Sequence, residues 1–285
     1  LAMGVLTTGN LRNIAVQTSY LVIFAMAQCV VILTRGFDLS LGFNVSLVSV
    51  AAAMAMVATG SASAGIAAGL GVGLFVGIAN GILIGGIALN PLVTTLGTSY
   101  ILLALASTIS GGFPVPNLPD SFTGPLALAR PLGLPAPIWV AGALFLILFA
   151  VLHATRFGRS LYIIGANPRA ATAAGIPTFA VLTAAYTLAA LLAAVGALLL
   201  TARTGSGEPN LGGNLTLESI AAAVVGGVKL SGGEGGVGAA LMGALLVTIL
   251  SNGMNLVQVD GYLQNIILGL IIIASLIVSR DTGRK

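Results

Sequence analysis

RFGRSLYIIGANPRAATAAGIP, residues 156–177, interrupts an otherwise apolar chain. It carries Arg156, Arg159 and Arg169 without one acidic residue, and it lies between two runs long enough to cross a bilayer. Cations in such connectors are retained on the cytoplasmic side of a membrane. The segment therefore marks the inside face, and it is also where something outside the membrane can take hold.

On either side of it the composition is that of a membrane protein. Hydrophobic residues fill 57% of the 285 positions and charged residues 6%, with a mean hydropathy of +1.09. A soluble domain would carry roughly a quarter charged residues. The fold class is all-α, a single polytopic helical membrane domain over residues 1–285; the short alternating segments of a β-barrel are absent from the sequence. Nine apolar runs approach the roughly 20 residues that cross the hydrocarbon core. They are 14–34, 43–59, 64–89, 92–110, 136–155, 179–202, 216–228, 237–257 and 262–279. Asn90-Pro91, a proline-rich loop over 114–137 and a glycine-rich stretch over 205–213 punctuate them.

Charge tests the count. With 156–177 inside and alternation in both directions, the inside holds Arg35, Arg156, Arg159, Arg169, Lys229, Arg280, Arg284 and Lys285, against Arg12, Arg130 and Arg203 outside. That is the bias the insertion rule requires. The short run 216–228, which carries Glu218, is the weak one. Reading it as a re-entrant loop would move Arg280, Arg284 and Lys285 outside, so it counts as a crossing. The same alternation places residues 1–13 outside and implies one more span before Leu1, ten in all.

Several chemistries are excluded. The net charge of +4 sits at the ends of apolar runs and needs no nucleic acid. Cys29 is the only cysteine and His153 the only histidine, so there is no internal disulfide and no Cys/His metal cluster. No Walker-type loop or closely spaced carboxylate pair is present. The string LSGGE at 230–234 is a glycine-rich turn between two spans, with no nucleotide fold around it. Transporters driven by protons or sodium place ionisable groups within spans; here only Asp38 and Glu218 come near, at span ends. Asp38, in GFDLSLG (36–42), reads as a cap on the following helix or as a direct substrate contact.

Neutral hydrogen-bonding groups are what the spans hold: Gln28, Asn44, Ser46, Asn80, Thr94, Thr95, Tyr100, Asn252 and Asn255. Amides and hydroxyls suit an uncharged, hydroxyl-rich solute. Each can equally bond a neighbouring helix, because an unpaired buried amide costs on the order of 1–3 kcal/mol. The candidate pathway set is Asp38, Ser40, Asn80, Thr95, Asn252 and Asn255. Glycine and alanine are dense, as in 51–53, 69–77 and 81–86, and supply close helix packing in lipid.

The phrases VLTTGNLRNIAVQTS (5–19), GFDLSLG (36–42), NGILIGGIALNPLVTTLGT (80–98), FGRSLYIIGANPRAATAAGI (157–176), GSGEPNLGGNLTLESIAAAVVGGVKLSGGEG (205–235) and SNGMNLVQVDGYLQNIILGLIIIASLIV (251–278) cover most of the chain. As a set they resemble the membrane-spanning subunit of ribose/xylose/galactose-type ABC importers, in the broader group that includes branched-chain amino acid permeases. The resemblance implies that 156–177 is the cytoplasmic loop docking into a partner ATPase, through Arg159, Gly165, Asn167, Arg169, Ala170, Ala171, Gly175 and Ile176. It implies no cofactor in this chain, since ATP and Mg would be held by that ATPase subunit. It also implies an extracytoplasmic sugar-binding protein docking on the outer loops, with Glu208 an exposed contact, and a second permease subunit, identical or paralogous. The location would be the bacterial cytoplasmic membrane, with lipid around the spans. A neutral monosaccharide is the expected solute. Branched-chain amino acids or nucleosides are the alternative, and a stand-alone secondary transporter or channel the rival of another class. Three features depart from the family's pattern: Arg35 where a glycine is usual, Gln28-Cys29 before the VI run, and Lys229 and Glu234 flanking the glycine turn.

Overall fold

Residues 7–281 are described by a computed structural model. In chain order its long elements are α1 Thr8–Ile32, α2 Leu41–Thr59, α3 Ala62–Gly81 continued by the π-helical turn Ile82–Gly86, α4 Pro91–Ser110, α5 Ala136–Ala154, α6 Arg156–Ala166, α7 Pro168–Ala173, α8 Thr178–Thr204, α9 Leu215–Val225, α10 Val237–Leu256 and α11 Gly261–Asp281. Seven of these, α1 to α5, α8 and α10, are long and apolar enough to cross a bilayer. The expected helical membrane fold is the observed one, and seven of the nine expected runs are single long helices. The ninth is α11. Arg280, Arg284 and Lys285 of the charge count, and residues 1–6, fall outside the residues whose side chains are described.

Local chemistry sets the boundaries. Thr7 caps α1 by accepting from Asn10 N–H, and Ser61 caps α3 by accepting from Ala64 N–H. Asn90 caps α4 with Pro91 as its first residue, where the missing N–H costs nothing. Gly60, Gly111 and Gly205 end α2, α4 and α8 in the left-handed conformation.

The middle of the molecule is α1. Every residue over 18–32 is buried, enclosed by α5, α8, α9 and α10, so its hydrophobicity runs all round instead of along a stripe. Gln28 lies within that core with neither amide atom bonded among the described residues; nothing in the structure explains it.

α3 and α8 approach most closely. Glycines recur at every fourth position of α3 and its π turn, at 65, 69, 73, 77, 81 and 85, which is the period of one helix face. A Cβ at Gly73 would lie 2.6 Å from Ala194 Cβ, at Gly77 2.5 Å from Thr187 Cα and at Gly81 2.6 Å from Thr183 Cα. The expected small-residue packing is therefore a close approach of the α3 backbone to α8 from Gly73 to Gly85.

The expected crossing over 216–228 is corrected. α9 has 11 residues, about 16 Å of helix at 1.5 Å per residue, against a core of ~30 Å. The irregular stretch 205–214 makes up the difference. It runs along α2 from Ser49 towards Gly42: Glu208 N–H donates to Ser49 Oγ (3.1 Å), Gly212 N–H donates to Ser46 Oγ (3.1 Å), and Gly42 N–H donates to Thr216 Oγ1 (2.9 Å). Irregular backbone away from water must find partners inside the protein. Small residues at 42, 46, 49 and 53 open the space, and two of them, Ser46 and Ser49, supply the acceptors. Glu208 is corrected with the stretch that carries it: it is half-buried, and its carboxylate accepts from Ser206 Oγ at 2.6 Å.

Candidate functional site

Two ends of the bundle differ in character. At one end Arg12, Arg130 and Arg203, the three cations placed outside by alternation, line a single cavity of about 280 Å³. Arg203 also stacks over Tyr20, 5.3 Å from the ring centroid. At the other end α6, with α7 following it, packs against the 33–35 and 228–236 connectors.

α6 starts at the cap Thr155 and α7 at the cap Asn167, whose Oδ1 accepts from Ala170 N–H with Pro168 in the first turn. The 156–177 segment is thus two short helices broken at Asn167. Arg156, Arg159, Asn167, Arg169, Ala170 and Gly175 are exposed, Ile176 is half-buried, and Gly165 and Ala171 are buried. This corrects the contact role expected of Gly165 and Ala171: both face the chain's own body. A Cβ at Gly165 would overlap the Leu33 carbonyl and Gly233 N, so only glycine lets the two segments meet there.

What fastens this pair of helices lies largely outside the expected set. Arg35 donates from Nε to the Gly165 carbonyl and from Nη2 to the Ala166 carbonyl, the latter at 2.6 Å. Those are the last carbonyls of α6, where a cation also meets the negative end of the helix dipole. Arg35 itself adopts φ +64°, the left-handed conformation in which glycine is at ease. Gly233 N–H donates to the Leu33 carbonyl at 3.0 Å, and the Tyr162 hydroxyl donates to the Gly235 carbonyl at 3.0 Å. Burial pushes the Tyr162 phenol above its ordinary range. Lys229 and Glu234 pair across the glycine turn. The sequence signals for this clamp were the departures at Arg35 and at Lys229 and Glu234.

From Arg35 the chain enters an unwound stretch, 33–40, that is mostly buried. Four of the six pathway candidates meet there. Asp38 accepts from Ser40 N–H (2.9 Å) and Ser40 Oγ (2.6 Å); Ser40 Oγ accepts from Asn80 Nδ2 (2.9 Å); Asn80 Oδ1 accepts from Thr98 Oγ1 (2.8 Å). Thr95 Oγ1 accepts from Leu39 N–H at 3.0 Å, and the Tyr186 hydroxyl donates to the Phe37 carbonyl at 3.3 Å. Asp38 therefore turns the chain before α2 and is fully embedded in a network joining α2, α3, α4 and α8. Thr98 and Tyr186 were not singled out in the sequence; only their positions in space reveal them.

Asn252 and Asn255 lie elsewhere. Asn252 and Asn10 exchange two amide hydrogen bonds, at 2.9 and 3.0 Å, tying α10 to α1. Asn255 Oδ1 accepts from Gln264 Nε2 at 2.9 Å. Asn252→Leu is expected to destabilise the protein by about 1 kcal/mol or more, with much of the loss recovered when Asn10→Leu is added. Thermal unfolding of the single and double variants in detergent measures the coupling, and strict additivity would mean the pair contributes nothing as a pair. Beside Asn255, a cavity of about 490 Å³ opens between α9, α10 and α11, lined by amides, hydroxyls and the Glu218 carboxylate.

Comparison with known proteins gives the same reading. A family model described as branched-chain amino acid transport system / permease component matches residues 10–276. The ribose import permease protein RbsC of Escherichia coli K12 is 34% identical over 95% of this chain and 86% of its own length. The L-arabinose transport system permease protein AraH of the same strain is 36% identical over 94% and 81%, and its D-allose transport system permease protein AlsC is 32% identical over 96% and 84%. No solved structure matches. The chain, a multi-pass helical membrane protein, belongs to the branched-chain amino acid transport system permease component family.

Proposed function

We propose that this chain is the permease subunit of an ATP-driven importer for a neutral monosaccharide in a bacterial cytoplasmic membrane. The observation that carries the reading is the likeness over nearly the whole chain to ribose, arabinose and allose permeases; the clamp at Arg35 suggests how this chain would be driven. A two-helix segment with an exposed basic face is bonded to the start of an unwound, buried stretch whose polar groups reach four helices. Force applied to α6 and α7 by a partner ATPase would pass through Arg35 into 33–40 and shift the packing of α2, α3, α4 and α8. ATP-linked closure would thereby bias the equilibrium between inward-open and outward-open arrangements. ATP and Mg belong to that partner, and this chain performs no chemistry of its own.

The relatives with ribose, arabinose and allose in their names favour a sugar over an amino acid. A solute-binding protein would deliver it at the end carrying Arg12, Arg130 and Arg203, and a second permease subunit would complete the pathway. The test is uptake of labelled ribose, arabinose, allose and galactose into cells or vesicles carrying the full complex. Uptake of at least one is expected, lost when the ATPase subunit is inactivated by substitution in its nucleotide site. Uptake that survives inactivation would assign the chain to secondary transporters or channels, and uptake confined to leucine would assign it to amino acid permeases.

A further inference from the structure

The cavity between α9, α10 and α11 holds a carboxylate that the fold does not use. Glu218 stands in the first turn of α9, and its side chain has no hydrogen bond or ion pair among the described residues. It lines both the cavity of about 490 Å³ and an adjoining one of about 270 Å³. Asn214, at the head of the same helix, makes no side-chain cap. Ser251 on α10 and Asn265 on α11 are likewise without side-chain hydrogen bonds among the described residues. Asn214 and Asn265 are exposed and Glu218 and Ser251 half-buried, so all four can pair with a solute that enters this space.

We infer that this cavity is a binding site for the transported solute, and that the solute is a neutral polyol, a monosaccharide, held by Glu218. The chemistry is matched. A carboxylate accepts from two hydroxyls, amides and a serine hydroxyl give and accept, and the exposed Tyr262 ring offers an apolar face to sugar C–H groups. No cation lines the larger cavity. An amino acid zwitterion could pair its ammonium with Glu218, but its own carboxylate would then meet no cation in this cavity. Arg203 lines the adjoining smaller cavity but not this one, and it is stacked on Tyr20. The inference rests on the importer reading above, and the tests below separate the two.

In vesicles carrying the complete complex with its binding protein, Glu218→Leu is expected to lower uptake of the transported sugar about tenfold or more, with Glu218→Gln, which still pairs with hydroxyls, intermediate. Uptake by Glu218→Leu within about twofold of wild type would overturn the site. Should Glu218→Leu fail to assemble, Ser251→Cys gives an independent answer. The native Cys29 is wholly buried, so labelling of this chain, resolved from its partner subunits on a gel, reports on position 251. The transported sugar is expected to slow labelling at 251 and leucine to leave it unchanged; no protection by the sugar, or protection by leucine, would overturn the inference. If wild-type vesicles carry no monosaccharide at all, it is the importer reading that fails.

Discussion

Gly77→Leu is expected to remove folded permease from the membrane, whereas Gly71→Leu on the same helix is expected to leave it intact. The difference is distance. A Cβ at position 77 would sit 2.5 Å from Thr187 Cα and 2.9 Å from the Tyr186 carbonyl oxygen, whereas one at position 71 would meet nothing within 4 Å. The obstruction at 77 is backbone, which cannot rotate away as a side chain would. Overpacking costs typically 1–3 kcal/mol where neighbours can relax, and here the cost lies at or above the upper end. At Gly71 a leucine gains up to about 1 kcal/mol of helix propensity. Size-exclusion profiles and thermal midpoints of the two variants in detergent decide the matter. Similar stability of both would mean that α3 and α8 do not hold each other at this spacing.

Arg35→Gly is the second large effect, and it is read in transport per ATP as well as in stability. Glycine relieves the left-handed backbone, worth roughly 1–3 kcal/mol for a non-glycine residue, while it deletes bonds to two terminal carbonyls of α6, each worth about 1.5–3 kcal/mol when the donor is charged. These terms offset only in part, about 3–6 kcal/mol lost against 1–3 relieved, so the thermal midpoint is expected to fall by several degrees. Transport is expected to fall about tenfold or more, with more ATP hydrolysed per solute moved, because the docked helices would shift without drawing 33–40 after them. Unchanged uptake per ATP would show that the force takes another route.

Much of this was legible in the chain. Seven long helices and the close-packing glycines follow from hydropathy and a period of four, both local properties. Gly165 marks where that reading stops. It stands in a basic connector and reads as surface, yet it is buried because Arg35, Leu33 and Gly233, distant in sequence, close over it. The 205–214 stretch read as an outer loop for a related reason: what admits irregular backbone is a pair of serines on α2, and hydropathy cannot register a partner on another helix. Asp38, Ser40, Asn80 and Thr95 were singled out by residue type and do meet, whereas Asn252 is occupied by Asn10. Residue type indicates which groups need partners. Only the fold says who the partner is.

The burial of α1 carries a consequence for synthesis. The helix that ends enclosed on every side is the first of these to leave the ribosome, and Thr178, where its neighbour α8 begins, follows Ile32 by a delay on the order of 10 s at usual translation rates. α9 and α10 come later still. For that interval α1 has lipid or the insertion machinery for company, with the Gln28 amide in the middle of it, so the centre of this permease is laid down as a guest in the bilayer and becomes a core only when the last third of the chain arrives.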